Sequence, residues 1–413
     1  RLALSDIAKV FYDNAADRLK IIGITGTKGK TTTAILIAAI LNGAGIKCAY
    51  IGSNGIVIGG RHYETVNTTP ESLELHKYFK IMEDEGTTHV VMEVSSQALM
   101  HYRVRGLSFE AIAYTNLSPD HIGTGEHASF EEYRDAKRLL FTEYDSKYAI
   151  VNADDGYSVY MTESYRGTTI TYGLRTPSHF TGSGITTFRN ETALGIDFMC
   201  THNGEITPIR LRTPGDFSAY NGLCAIAVSS VMGVSPERAA SVLRTASITG
   251  RFEIVDAIHG VTFLIDYAHN GLSLTSALRF LREYDPARLI CVFGSVGGRT
   301  QNRREELAHA ASALADYSII TSDNPDREDP EAIIRDIMEH FDRAKPHEII
   351  VDRTDAVKKA VRMAKEGDIV LFAGKGHETY QLINGKKVPF SERDLILTEA
   401  DAIKEGLITT HAE

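Results

Sequence analysis

The chain has 413 residues, of which 43% are apolar and 24% charged, with a formal net charge of −10. That length exceeds one ordinary core and predicts two or three domains, while the negative balance argues against a broad basic face for nucleic acid. Apolar runs such as Ala34 to Leu41 fall short of the roughly 20 residues of a membrane span, and no leader pattern opens the chain. Cys48, Cys200, Cys224 and Cys291 lack metal-site or disulfide-framework spacing, so buried, reduced thiols in a soluble cytoplasmic protein are expected.

Residues 1–20 hold an amphipathic helix too short to bury its own apolar face, read as the remnant of a preceding domain or a linker. From Ile21 onward, apolar strands are expected near 20–25, 48–52, 88–95, 110–117 and 147–153, with helices at about 30–43, 71–85 and 130–142. This alternation predicts an α/β fold with a mainly parallel sheet and ligands at the carboxyl ends of its strands. The first strand-to-helix junction reads IIGITGTKGKTTT. Its glycines let the backbone approach an anion, and the helix beginning near Lys30 aims free N–H groups at phosphates. Gly26, Thr27, Lys28, Gly29, Lys30, Thr31 and Thr32 are therefore the expected nucleotide loop, with Lys30 on the β/γ-phosphates and Thr31 facing Mg²⁺. The strict P-loop spacing is not met, because Thr25 stands four residues before Gly29.

Two later strands end nearby in the expected topology. THVVMEVSSQAL presents Glu93, a carboxylate suited to Mg²⁺, and AIAYTNL leads into the loop that carries His121. Lys30/Thr31, Glu93 and His121 thus share one crevice. Residues 168–212 are Thr-rich and turn-broken, predicting a small antiparallel β portion, before helix signals return at 220–232. A second α/β pattern starts near 250, with strands TFLIDYA, RLICVFGS, YSIITSD, HEIIVD and DIVLFAG. The expected division is 1–20, a P-loop-type central domain at 21–249 and a Rossmann-like domain at 250–413.

Lys137 lies in FEEYRDAKRLLF, where by itself it reads as a lysine snorkelling from a half-exposed helix. A wider pattern gives it another role. GTKGKTT, EVSSQAL, TNLSPDHI with AKRLLF, AYN, GRFE, DYAHN, SDNPDREDP and GKGHETYQ, in this order, resemble the ATP-dependent Mur ligases of peptidoglycan synthesis. The resemblance covers essentially the whole chain and is nearest to the branch that adds a diamino acid to UDP-N-acetylmuramoyl-L-alanyl-D-glutamate. It implies a carbamylated Lys137 that binds a second Mg²⁺ with His121, while Glu93 and Thr31 bind the first. It also implies Asn221 at the adenine, Arg251 at the phosphates and Asp266 at the ribose, with Tyr267 and His269 close by; a structural turn carboxylate is the lesser reading of Asp266.

By the same resemblance, Thr68, Thr69, Pro70, Glu71, Ser95, Ser96 and Arg103 meet the muramoyl-dipeptide, although Thr-Thr-Pro-Glu also reads as a helix start with Pro at N1. Arg299, Asn324, Asp326, Gly374 and Glu378 meet the incoming amino acid. Members that add meso-diaminopimelate carry Arg where Asp326 stands, so acids at 326 and 378 imply L-lysine, with L-ornithine and meso-diaminopimelate as alternatives and Arg327 as a possible carboxylate clamp. Lys28 resembles the lysine-adding branch. The chain starts at what resembles the last helix of the family's uridine-binding domain. The implied substrates are ATP, UDP-MurNAc-dipeptide and a diamino acid, acted on by a monomer. Competing readings are a folylpolyglutamate or other amide ligase acting on a differently anchored peptide, and a nucleotide-binding partner subunit without ligase activity.

Overall fold

The structure is a computed structural model, describing residues 1–119, 122–123, 127–190, 193–298 and 301–408. Contacts divide the chain into one unit of Arg1–Thr186, Ile196–Leu211 and Asp216–Ala246, and a second of Thr187–Gly195, Arg212–Gly215 and Ser247–Glu413.

Strands of the first sheet are β1 (Lys20–Thr25), β2 (Cys48–Gly52), β3 (Gly55–Ile58), β4 (Arg61–Tyr63), β5 (His89–Glu93), β6 (Phe109–Tyr114), β7 (Ser146–Asn152), β8 (Thr168–Gly173), β9 (Phe180–Arg189), β10 (Leu194–His202) and β11 (Glu205–Leu211). Their order is β11-β10-β9-β8-β7-β6-β1-β5-β2-β3-β4. β1 runs parallel to both β5 and β6, so three carboxyl ends meet at one place, and its residues Ile21 to Thr25 are all buried. An unbroken apolar run is what a parallel strand covered on both faces requires.

The expected antiparallel portion is smaller than 168–212 suggested and partly elsewhere. β8 pairs parallel with β7, and its end pairs parallel with the start of β9; β10 and β11 are antiparallel, as are β2–β3 and β3–β4. The Asn203-Gly204 turn explains the first of these pairs, since both residues have positive φ and close a two-residue hairpin.

The helices of this unit are α1 (Leu2–Phe11), α2 (Lys30–Gly43), α3 (Ser72–Asp84), α4 (Ser96–Met100), α5 (Phe130–Thr142), α6 (Ser158–Thr162), α7 (Asp216–Val231) and α8 (Pro236–Leu243). Helix α1 is fastened to the rest of the unit by Ser5 Oγ on the Arg105 carbonyl and Lys9 Nζ on that of Gly106, each at 2.9 Å. In α5 the Ser129 hydroxyl accepts the Glu132 N–H as N-cap, and the buried residues are Tyr133, Ala136, Lys137, Leu140 and Phe141. That i, i+3, i+4, i+7, i+8 stripe puts Lys137 on the core face.

The second sheet contains β12 (Glu253–Val255), β13 (Thr262–Asp266), β14 (Leu289–Phe293), β15 (Tyr317–Ile320), β16 (His347–Ile349) and β17 (Ile369–Ala373), in the order β12-β13-β17-β14-β15-β16. All its pairs are parallel except β12–β13. Alternate side chains enter two cores, Leu289, Cys291 and Phe293 on one face and Ile290 and Val292 on the other, as the two-residue strand period dictates. The first core is covered by α9 (Gly271–Arg282), α10 (Gln301–Leu314) and α11 (Pro330–His340), the other by α12 (Arg353–Met363) and α13 (Glu392–Lys404). A hairpin of β18 (Tyr380–Ile383) and β19 (Lys386–Pro389) follows β17. Among the described residues no helix is long and apolar enough to cross a membrane.

Candidate active site

In the first unit the β1–α2 turn forms the expected loop. Gly26 and Gly29 have φ of +144° and +85°, and a Cβ on them would stand 2.0 Å from Thr115 Oγ1 and 2.4 Å from Asn221 Oδ1. Glycine is required at both positions by conformation and by space. Neutral hydrogen bonds fix the rest of the loop. Lys28 N donates to Asn116 Oδ1 at 3.0 Å, Thr115 Oγ1 donates to the Lys28 carbonyl at 2.7 Å, and Tyr133 Oη donates to Thr27 Oγ1 at 3.1 Å.

Two ammonium groups converge on the Gly26 carbonyl, Lys30 Nζ and Lys137 Nζ, each at 2.9 Å. Lys137 is 1% exposed and lies 4.3 Å from the centre of the Tyr133 ring, so it is not the snorkelling surface lysine of the simpler reading. With the N-terminus of α2, these cations make the loop a seat for a polyanion.

Glu93 ends β5 with no solvent exposure. Its carboxylate accepts from Thr31 Oγ1 at 3.0 Å, Tyr50 Oη at 2.8 Å and Ser53 N at 2.9 Å. These donors are neutral, and a buried carboxylate so placed suits a hard divalent cation that also takes phosphate oxygens. Thr31 and Glu93 therefore fit a Mg²⁺ pair. Asn221 is brought to the loop by α7, its Oδ1 accepting from Thr33 Oγ1 at 3.3 Å. Lys28 is exposed and Thr32 half-buried. His121 lies outside the described residues, as does Arg299.

The residues carried over for the muramoyl-dipeptide assemble beside Glu93. Thr69 Oγ1 donates to the Glu93 carbonyl at 2.8 Å and accepts from Ser95 N at 3.1 Å, while Thr68 and Ser53 hydroxyls lie 3.1 Å apart. Ser95 caps α4, and Ser96 Oγ is 2.8 Å from His127 Nε2. Arg103 is engaged within the protein, on the Thr69 carbonyl at 3.1 Å and Glu71 at 2.8 Å. Buried Pro70 precedes the N-cap Glu71 of α3, so it is not at N1 as the sequence suggested.

In the second unit Arg251, Asp266, Tyr267 and His269 come together. The Arg251 guanidinium lies 4.7 Å from the Tyr267 ring centre, and the His269 ring 4.6 Å from it. Both Asp266 oxygens accept backbone N–H groups, from Phe252 and Ala268, each at 2.9 Å. This is the turn-closing role. Burial pushes the Asp266 carboxyl upward, opposed by Arg251.

Asn324, Gly374 and Glu378 surround a lysine the sequence reading left without a role. Lys375 Nζ, fully buried, donates to Asn324 Oδ1 at 2.7 Å and Glu378 Oε2 at 2.6 Å. Asp323 Oδ1 stands 3.8 Å from it; burial pushes that carboxyl upward too, opposed by Arg353 and Lys375. Arg353, itself buried, binds Glu392 at 2.7 Å and the Ser322 and Ala373 carbonyls at 3.1 and 2.8 Å. Nothing in the local sequence marks Arg353 or Glu392, whereas Asp323 and Lys375 lie inside quoted motifs.

Asp326 is half-buried and engaged at a turn. Its φ is +52°, and its Oδ1 accepts the Gly385 N–H at 2.7 Å. Its backbone also pairs with the hairpin, donating to the Leu382 carbonyl at 2.9 Å and accepting from Asn384 N at 2.7 Å. The carboxylate thus fastens a turn. Arg327 is exposed, with Nη2 4.0 Å from where a Cβ on Gly385 would stand.

Residues 24–229 match the Mur ligase middle domain, and residues 250–376 match the Mur ligase glutamate ligase domain. The UDP-N-acetylmuramoyl-L-alanyl-D-glutamate--2,6-diaminopimelate ligase of Caldanaerobacter subterraneus subsp. tengcongensis is 38% identical over 397 residues, spanning 96% of this chain and 81% of that protein. The enzyme of the same name from Geobacillus kaustophilus is 41% identical over 404 residues, spanning 95% and 81%. A solved structure of a ligase of that name superposes with a TM-score of 0.69 at 30% identity, covering 94% of this chain and 79% of that one.

Proposed function

Because the chain belongs to the Mur ligase family and is an ATP-dependent amide ligase, we propose that it adds meso-diaminopimelate to the D-glutamate γ-carboxylate of UDP-N-acetylmuramoyl-L-alanyl-D-glutamate, a step of peptidoglycan synthesis. The relatives' names support this amino acid over L-lysine. The observation that carries the choice is the position of Asp326. Its carboxylate is held on Gly385 N–H, so the argument for a distal ammonium loses its anchor, while exposed Arg327 beside the same turn suits a distal carboxylate.

The chain's own groups account for the reaction. The substrate carboxylate attacks the γ-phosphorus of ATP and ADP leaves, which brings anions together. Lys30 and the α2 N-terminus lie where that charge accumulates. Mg²⁺ held by Thr31 and Glu93 supplies further neutralisation of the phosphate oxygens. A carbamylated Lys137 with His121 for a second ion is part of the proposal; the modification requires the Lys137 amine to leave the Gly26 carbonyl. The amine then attacks the acyl carbon of the acyl phosphate, losing a proton as phosphate departs. Asn324 and Glu378, braced by Lys375, are the groups assigned to the amino acid's ammonium and carboxylate end.

Phosphate release with ATP, UDP-MurNAc-dipeptide and each of meso-diaminopimelate, L-lysine and L-ornithine tests this reading. Diaminopimelate should give the highest kcat/KM, and Arg327→Ala should lower it about ten- to a hundredfold, the worth of a charged hydrogen bond. Preference for L-lysine would overturn the assignment.

A further inference from the structure

The second unit carries a group of metal-ligating side chains apart from the residues assigned to substrates. Glu305 and His309 stand one turn apart on α10, with Glu305 Oε1 3.7 Å from His309 Nε2. His340, the last residue of α11, turns its ring toward them, with centroids of the two imidazoles 6.1 Å apart at 68°. One ligand atom from each of the three lies within 4.8 Å of the others, and all three side chains are exposed. We propose that Glu305, His309 and His340 bind a zinc ion that bridges α10 and α11.

The donor set selects the ion. Two imidazoles and one carboxylate suit a borderline cation such as Zn²⁺, whereas Mg²⁺ prefers an all-oxygen octahedron. Tetrahedral zinc with bonds near 2.0–2.1 Å keeps its ligands roughly 3.4 Å apart. Rotation about the outer bonds of exposed side chains closes the remaining distance, and water takes the fourth position.

The backbone beneath is already fixed. Arg304, adjacent to Glu305 and only 4% exposed at its side chain, donates to Asp336 of α11 at 2.5 Å and to Glu328 ahead of α11 at 2.7 Å. Buried Leu307, Ala308 and Ala311 of α10 share a core with Ile333, Ile334 and Ile337 of α11. Placing His340 at the carboxyl end of α11 adds the negative end of the helix dipole to the site. A bound ion would thus cross-link two helices that the core and Arg304 have already aligned, with no part in the ligation chemistry.

The test is calorimetric titration of the full chain with ZnCl₂ in excess MgCl₂ at pH 7.5, with Co²⁺ as a spectroscopic substitute. The unmodified chain should bind one more equivalent of zinc than the double variant His309→Ala/His340→Ala, and should show the intense visible absorption of tetrahedral Co²⁺ that the variant lacks. Each single substitution should weaken this equivalent more than the roughly 10- to 100-fold lost with an outer partner. Zinc should raise the melting temperature of the unmodified chain and leave that of His340→Ala unchanged. Equal zinc binding by the unmodified chain and the double variant, with both shown to be folded by circular dichroism, would overturn the proposal, as would no zinc binding by either.

Discussion

The phosphate loop at 26–31 and the cluster formed by 322–327 with 374–378 both follow the carboxyl ends of parallel strands, yet they are held in opposite ways. The loop is fixed by neutral hydrogen bonds from Thr115, Asn116 and Tyr133, which leaves Lys30 and Lys137 converging on one carbonyl oxygen. The cluster is fixed by charges facing charges, with Arg353 on Glu392 and Lys375 on Glu378. A seat for a polyanion gathers ammonium groups and helix N–H groups at one point. A seat for an amino acid, which brings both signs, is braced by cations and anions that are largely matched before it arrives. Removing a charge should therefore harm chemistry at the first and folding at the second.

The largest effect is expected at Arg353. Arg353→Met leaves Glu392 buried without its partner, and guanidinium unfolding should show a loss of about 3–5 kcal/mol. Replacing Glu392 by Leu in the same chain should recover much of it; no recovery would mean that the pair does not act as a unit. At the loop, Glu93→Gln keeps the shape and removes the charge. It should lower kcat by about 10²–10³, or roughly 2.7–4 kcal/mol, with the melting temperature nearly unchanged. A fall in stability instead of rate would erase the contrast between the two regions.

A third measurement calibrates burial without a partner. His76 is 1% exposed, and neither ring nitrogen has a hydrogen-bond partner among the described residues. Burial first, then the charge of Lys9, holds its pKa down to about 4 from the ordinary 6.5. The unfolded chain then takes up this proton at higher pH than the folded one, so stability is lost as pH falls from 6.5 toward 4. The slope should amount to at most roughly 3 kcal/mol, and His76→Leu should flatten it in unfolding curves taken across that window. The smallest effect is expected at Asp326. Asp326→Ala should cost about 1 kcal/mol by freeing the Gly385 N–H and leave the choice of amino acid unaltered; a switch in that choice would restore the carboxylate to the substrate site.

The contrast also explains what the sequence made legible. The β1–α2 turn could be read because its shape lies in the backbone, which Gly26 and Gly29 announce locally. Strand and helix periods placed β1, β5 and β6 within a few residues for the same reason. Lys137 could have been placed by periodicity alone, since Tyr133, Ala136, Leu140 and Phe141 define its face. The second cluster was only partly visible: Asn324 and Glu378 sit in motifs, but Arg353 and Glu392 are 39 residues apart and meet only through the fold. The surroundings of Asp326 were hidden because its left-handed backbone and its bond to Gly385 depend on a hairpin 59 residues later.

That bond has a practical side for anyone who wishes to attach something to this protein. Two hairpins turn on the same Asn-Gly pair, Asn203-Gly204 and Asn384-Gly385, all four residues with positive φ. At Gly204 nothing stands within 4 Å of an added Cβ, so a peptide tag or fluorophore-bearing insertion there has room. At Gly385 the same insertion would unfasten Asp326 and drag the neighbouring Arg327, so two turns that look interchangeable on paper are a free handle and a forbidden one.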